Sequence, residues 1–252
     1  RLLTTDEARE ALPGVHEGIR QKTPGAVSRS AEWWHVRFFL DLPDSRDGFG
    51  ANNYLVCEED GRITGYLIYR RKGDYHDWIP GGKVLVRECM AETPGAYATL
   101  WDYVLNLDLV GVVEYDVASS AEPLLWMLQD SRRTERKRLD AIWVRIVDIE
   151  RALGARTYQG DGRLVIEVRD RFLEGAGGRF ELVSAGGDGL CRRTDEAPDL
   201  VMGPEELAGL YLGGGSAWSL WRAGRIAGSE SAVALADRLL GWHMAPHCQE
   251  HF

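Results

Sequence analysis

The 252-residue sequence predicts an α+β chain of two domains: a mixed sheet with flanking helices, then a smaller domain of sheet and helices. Three observations carry this. Through about residue 148 the periodicities run helix, helix, hairpin, strand, helix, strand, helix, strand. The hairpin is marked by "EEDGRI", in which Asp60-Gly61 suits the positive φ angles of a tight turn. From about Ile149 glycines become frequent and short strands alternate with turns such as "GGDG" before helices resume. The boundary is placed between residues 147 and 148, giving domains over 1–147 and 148–252.

Each element has its own signal. "TTDEAREALPGVHEGIRQKTPG" is acid-rich after Thr5, carries Leu12, Val15 and Ile19 at helical spacing, and stops at Pro24-Gly25, which predicts a helix bent at Pro13. "SRSAEWWHVRFFL" is a second helix with Trp34, Phe38 and Trp33 on its apolar face. "NYLVCEEDGRITGYLIYRRK" forms the hairpin and "KVLVRECMAE" a further strand. The helix "PGAYATLWDYVLNL", the strand "VGVVEYDVA", the short helix "AEPLLWMLQD" and a strand "AIWVRIVDI" complete the first half. In the second half "RLVIEVRD", "GRFELVSA" and "GLCRRT" are strands. "GPEELAGLYLGG" is a helix opened by Pro204, and "SESAVALADRLLG" is a helix capped by Ser229 and stopped at Gly241.

Composition narrows the function classes. Thirty-nine acidic residues against 30 basic ones give a net charge of −9, which argues against nucleic-acid backbone binding and is compatible with a cationic substrate. No apolar run reaches the ~20 residues of a membrane span, so no membrane partner is expected. Cys57, Cys89, Cys191 and Cys248 are scattered without a C-x-x-C, the pattern of reduced thiols in a cytoplasmic protein. The chain starts at Arg1, and the expectation is that it opens partway into a longer protein.

The order of elements in the first half resembles the GNAT acetyltransferase fold. In working members the strand matching "KVLVRECMAE" leads into a loop R/Q-x-x-G-x-G/A, whose backbone N–H groups hold the pyrophosphate of acetyl-CoA at a helix N-terminus. Here the segment reads "RECMAETPGAYATLW", with the single glycine Gly95, with Pro94 removing a donor, and with Glu88 and Glu92 placed to repel a polyanion. The first domain is therefore expected to be GNAT-like without a cofactor site.

Four further stretches, "ALPGVHEGIRQKTPGAVSRSAEWW", "IWVRIVDIERALGARTY", "WSLWRAGRIAGSESAVALADRLLG" and "APHCQEHF", resemble the Eis (enhanced intracellular survival) N-acetyltransferases across essentially the whole chain. In that family a catalytic GNAT domain precedes a degenerate GNAT-like domain and a sterol-carrier-protein-like domain. The resemblance implies that this chain holds the last two and lacks the N-terminal GNAT domain, and with it the acetyl-CoA site and the tyrosine general acid. It further implies acetyl transfer from the cosubstrate acetyl-CoA to primary amines of cationic small molecules such as aminoglycosides, a homo-hexamer when intact, and inactivity of this chain alone.

The role carried over to the C-terminus is that of general base: the terminal carboxylate of Phe252 relieves the substrate amine of its proton. An α-carboxyl is ordinarily a weak base, with a pKa of about 3.3–3.7, which burial raises and a neighbouring cation lowers. Chain ends are mobile unless tied down, and Trp242, Met244, Pro246 and the Phe252 ring could tie this one. The plainer reading is that Phe252 only plugs a hydrophobic groove. Glu250 and His251 are candidates to face the same substrate, and Trp143 is a candidate wall for a cation, against a competing place in the core. Trp33, Trp34, Trp101, Trp126, Trp218 and Trp221 are assigned to the core. His243, His247, Cys248 and His251 include an H-x₃-H spacing, but Pro246 interrupts any helix there and no second ligand cluster exists, so no metal is expected. The competing function is a non-catalytic lipid-binding or scaffold module, with "LYLGGGSAWSLW" as the cavity lining.

Overall fold

A computed structural model of the chain describes residues 1–250 other than Trp78 and Ala141. The chain folds as two compact units: Arg1–Ala141 with His247–Phe252, and Ile142–Pro246. The junction lies a few residues before the expected one. Residues 247–250, assigned from the sequence to the second domain, belong to the first unit.

In the first unit β1 (Leu2–Leu3) precedes α1 (Thr5–Arg20), which opens with a capping box between Thr4 and Glu7 and runs through Pro13. α2 (Ala31–Trp34) is capped by Ser30 and continues as a π-helical turn over His35–Phe39. The hairpin comes next as β2 (Asn53–Glu59) and β3 (Arg62–Lys72), with Asp60 at φ 51° and Gly61 at φ 76° in the turn. After a short ribbon, β4 (Tyr75–His76) with β5 (Ile79–Pro80), come β6 (Gly82–Ala91), α3 (Pro94–Leu105), β7 (Val110–Tyr115) and the single turn α4 (Leu124–Met127).

The sheet order is β1-β2-β3-β6-β7, antiparallel except for the parallel β6–β7 pair. Strand alternation divides its side chains between two cores. Tyr54, Val56, Tyr66, Ile68 and Met90 pack with Ala8 and Leu12 of α1 and with Trp34 and Phe38. Leu55, Leu67, Tyr69, Val86 and Cys89 pack with Leu100, Trp101 and Val104 of α3. A bulge in β6 sets the direction of two charged residues. The β3–β6 register shifts between Ile68, opposite Glu88, and Tyr69, opposite Val86, leaving Arg87 as the extra residue. Strict alternation would send Arg87 and Glu88 to opposite faces. With the bulge, Arg87 bonds the carbonyl of Arg37 while Glu88 shares the face of Ile68 and Met90.

The second unit opens without the strand expected in "AIWVRIVDI": residues 142–147 take no regular structure. α5 (Ile149–Ala155), which the sequence reading lacked, starts at an Asp148 cap. Then come β8 (Gly162–Val168), β9 (Gly178–Ala185), β10 (Asp188–Arg193), β11 (Leu200–Met202), α6 (Pro204–Tyr211), α7 (Ala217–Arg222), β12 (Ala227–Gly228) and α8 (Glu230–Leu240). The sheet order is β10-β9-β8-β11-β12, with β11 parallel to β8. Leu164, Ile166, Phe180, Leu182 and Leu200 on the sheet meet Leu153, Leu207, Leu210, Val233, Ala236 and Leu239 on the helices in one continuous core. Glu181 takes Arg163 and Arg192 in a cross-strand ion ladder.

All four cysteines are free and buried. Among the described residues no helix is long and apolar enough to cross a membrane. Phe180 is almost fully buried at the centre of the second core. Phe180→Ala is expected to cost about 3–5 kcal/mol, read as a lowered urea midpoint of a probe in the second unit.

Candidate functional site

A deeply buried charged cluster of the first unit forms around Arg29. The loop after α1 carries Arg29 to the start of α2, where Ser30 accepts a bond from the Trp33 amide and fixes the first turn. That turn stacks rings around the guanidinium, with Trp33 at 4.6 Å and Trp34 at 4.8 Å. Arg29 donates to both oxygens of Glu88, Nη1 to Oε1 at 2.9 Å and Nη2 to Oε2 at 2.5 Å. Its Nε donates to Glu250 Oε1 at 2.6 Å. Tyr66 donates its hydroxyl to Glu88 Oε1. The side chains of Arg29, Glu88 and Glu250 are 1%, 1% and 3% exposed, so the cluster is excluded from water.

The electrostatics are unequal. Burial pushes the Glu88 carboxyl up, but the two Arg29 bonds and the adjacent charge outweigh it and hold Glu88 below the usual carboxylate range. Glu250, with one bond to the same cation, is raised: burial dominates, Arg29 opposes it, and Glu88 adds to the rise. Burial also works against the charge on Arg29, yet its bonds to Glu88 keep it above its ordinary value. Tyr66 is pushed up by burial and by Glu88, and stays a donor. His16, edge-on to Trp34, is pulled down to about 4 by burial and then by Arg29, so it adds no positive charge near pH 7.

The end of the chain threads into this cluster. The His247 amide donates to the Pro24 carbonyl at 2.9 Å, Gln249 Nε2 lies 2.8 Å from Met90 Sδ, and Cys248, Gln249 and Glu250 are buried. Burial pulls the His247 imidazole below its ordinary value, against Glu88 and a bond to the Val117 backbone. Among the described residues, His247 Nε2 and Glu250 Oε2 are buried without a partner.

At the β6–α3 junction, where a GNAT fold would place its cofactor, the protein's own side chains meet the helix start. Thr93 caps α3, accepting from the Ala96 amide and donating to Glu59 Oε2 at 2.9 Å. A Cβ on Gly95 would lie 3.1 Å from Glu59 Oε1, so a carboxylate already faces this helix start. Glu92 is paired with Arg62. The expectation that Glu88 lies here is corrected: the β6 bulge turns it to the opposite face, onto Arg29.

Of the other expected site residues, Glu250, a candidate to face the substrate, is buried on Arg29. Phe252 and His251 lie outside the described residues. Trp143 is 88% exposed in the irregular segment 142–147, which overturns its place in the core; Trp126, at 92%, leaves the core as well. Trp34 and Trp101 are buried, and Trp33, Trp218 and Trp221 pack against the cores. His243 pairs with Gln159 in the second unit, whereas His247 and Cys248 belong to the first. Among the described residues no group of three or more metal-ligating side chains is assembled. A cavity of about 610 Å³ on the second unit is lined by Met202, Ile226, Phe172 and the paired Arg225 and Glu206, and not by "LYLGGGSAWSLW", whose Ala217 is in the core. The sequence reading missed Arg29, Tyr66 and Glu59. The only signal for Arg29 was a lone cation preceding a capped Trp-Trp pair.

Comparison with known proteins identifies the two folds. Residues 25–146 match the Acetyltransferase (GNAT) domain family and residues 149–249 the Sterol carrier protein domain family. An uncharacterized N-acetyltransferase of Streptomyces avermitilis is 34% identical over 255 residues, covering 100% of this chain and 60% of the relative. N-acetyltransferase Eis of Mycobacterium tuberculosis is 29% identical, covering 92% of this chain and 54% of the relative. The crystal structure of Eis1 from Mycobacterium abscessus superposes with a TM-score of 0.79 at 30% identity, covering 100% of this chain and 62% of that one. The chain thus has a GNAT fold followed by a sterol-carrier fold, and spans about six-tenths of the length of these relatives.

Replacing Arg29 by Met leaves two buried carboxylates facing each other, and is expected to cost about 3–5 kcal/mol at about pH 7. In the variant both folded-state carboxyl pKa values lie above their unfolded ones, so stability is regained as pH falls into the ordinary carboxylate range of about 4. In the native protein Glu88 is depressed, and its contribution is lost over the same fall. Urea unfolding at about pH 7 and about pH 4 checks this: the gap between the two proteins should shrink at the lower pH.

Proposed function

We propose that the chain supplies the degenerate GNAT-like and sterol-carrier-like domains of an Eis-like N-acetyltransferase, with acetyl-CoA bound outside this chain. Acetyl is transferred to primary amines of cationic small molecules such as aminoglycosides. A C–N bond forms at the thioester carbonyl, the C–S bond breaks with departure of the thiolate, and the amine proton passes to the terminal carboxylate of Phe252. The single observation that carries the reading is the buried tail: residues 248–250 are held inside the first unit, ending in an ion pair two positions before the terminus. Holding the tail at Glu250 favours a fixed position for a base carried just after it, which an untied segment does not. Supporting it, the start of α3 is already faced by Glu59, which disfavours a pyrophosphate there. Hexameric assembly, implied by the same resemblance, and a cytoplasmic location, expected from the cysteine pattern, belong to the same proposal. The lipid-carrier reading has less support: the segment expected to line its cavity does not line the cavity of about 610 Å³, and it contributes Tyr211 alone to a smaller one of about 350 Å³.

Two measurements test the proposal. The 252-residue chain mixed with acetyl-CoA and an aminoglycoside should release no CoA thiol above background; sustained release would place the acetyl-CoA site within this chain. In a protein that does acetylate amines, one residue added after Phe252 should lower kcat by roughly 10²-fold or more, the scale of a lost general base. Unchanged kcat would remove the carboxylate from the mechanism.

A further inference from the structure

We propose that Arg29 is the positioning residue of the C-terminal tail, one guanidinium that locks Glu88 of β6 with two bonds and seats Glu250 of the tail with its third. The anchoring stands on geometry alone; its consequence for acetyl transfer rests on the proposed function.

The geometry divides the labour within one side chain. The Nη1 and Nη2 pair is spent on Glu88, a rigid sheet residue that Tyr66 also holds, so the guanidinium has a fixed plane before the tail arrives. Trp33 and Trp34 cover that plane and exclude water. Nε, on the adjacent edge of the guanidinium, points to Glu250 Oε1. A lysine could not do both, because it lacks the planar fork that makes two parallel bonds and leaves a third donor at a set angle. The other tail contacts carry no ion pair: the His247 amide on Pro24, the His247 imidazole on the Val117 backbone, and the Gln249–Met90 contact. Glu250 is therefore the charged grip, adjacent in sequence to the final two residues. Its position is inherited from Glu88, which faces this way only because the β6 bulge turns it there.

The test is hydrogen exchange of the peptide spanning residues 247–250 in the 252-residue chain. Glu250→Ala leaves Arg29 neutralised by Glu88, so the first unit should stay folded while the tail amides exchange about ten-fold faster or more. Glu250→Gln keeps an oxygen for Nε and should retain protection. Tail amides that stay as slow in Glu250→Ala as in the native chain overturn the anchor; so does Glu250→Gln exchanging as fast as Glu250→Ala. In a protein that acetylates amines, Glu250→Ala should lower kcat with little change in KM, and Glu250→Gln should restore it. A loosened tail with unchanged kcat leaves the anchor standing and refutes the terminal-carboxylate mechanism. A tail that stays protected refutes the anchor whatever kcat does.

Discussion

A buried guanidinium shared by two carboxylates constrains everything near the end of this chain. Arg29, Glu88 and Glu250 carry one positive charge against two acids in a site sealed by tryptophans, and such a site is stable only while every charge keeps its partner. The sharing is uneven, two bonds to Glu88 and one to Glu250. Glu88 is accordingly held ionised, while Glu250 is the group that burial presses toward its neutral form. The sheet end of the cluster is permanent, and the tail end is the part free energy can most easily undo.

The same sheet carries both the GNAT topology of the first unit and the Arg29 cluster. β6 runs on into α3 as that fold requires, but Thr93 and Glu59 satisfy the start of the helix from within. Glu88, earlier in the same strand, is recruited to the other face for the Arg29 cluster. On the α1 and α2 side of the sheet, residues 247–250 pack beside Arg29 and Met90.

Much of this was legible from the residues. The hairpin at Asp60-Gly61, α1 with its acidic start, α6 behind Pro204 and α8 behind Ser229 are where periodicity and capping residues put them, because each has a local signal strong enough to survive tertiary context. The expected strand over 142–147 is irregular backbone instead. "IWVRIV" has strand-like composition, yet nothing in the sequence says whether a sheet edge is available to pair with it. α5 and β11 are short, at seven and three residues, and periodicity has little to act on at that length. The site was legible at one end only. The tail could be singled out as polar residues at a chain end, but its partner could not. Arg29 is 221 residues away in sequence, and the bulge that aims Glu88 at it is a single extra residue in β6 that a strict alternation pattern hides.

The central claim is that the third donor of Arg29 is occupied by the tail. It is read most directly from the Nε–H signal of Arg29 in a ¹⁵N-edited NMR spectrum of the 252-residue chain, compared with a chain ending at Pro246. A sharp, slowly exchanging Nε–H signal that merges with the rapidly exchanging arginine envelope on truncation is the predicted result; a signal equally sharp and slow in both chains would contradict it.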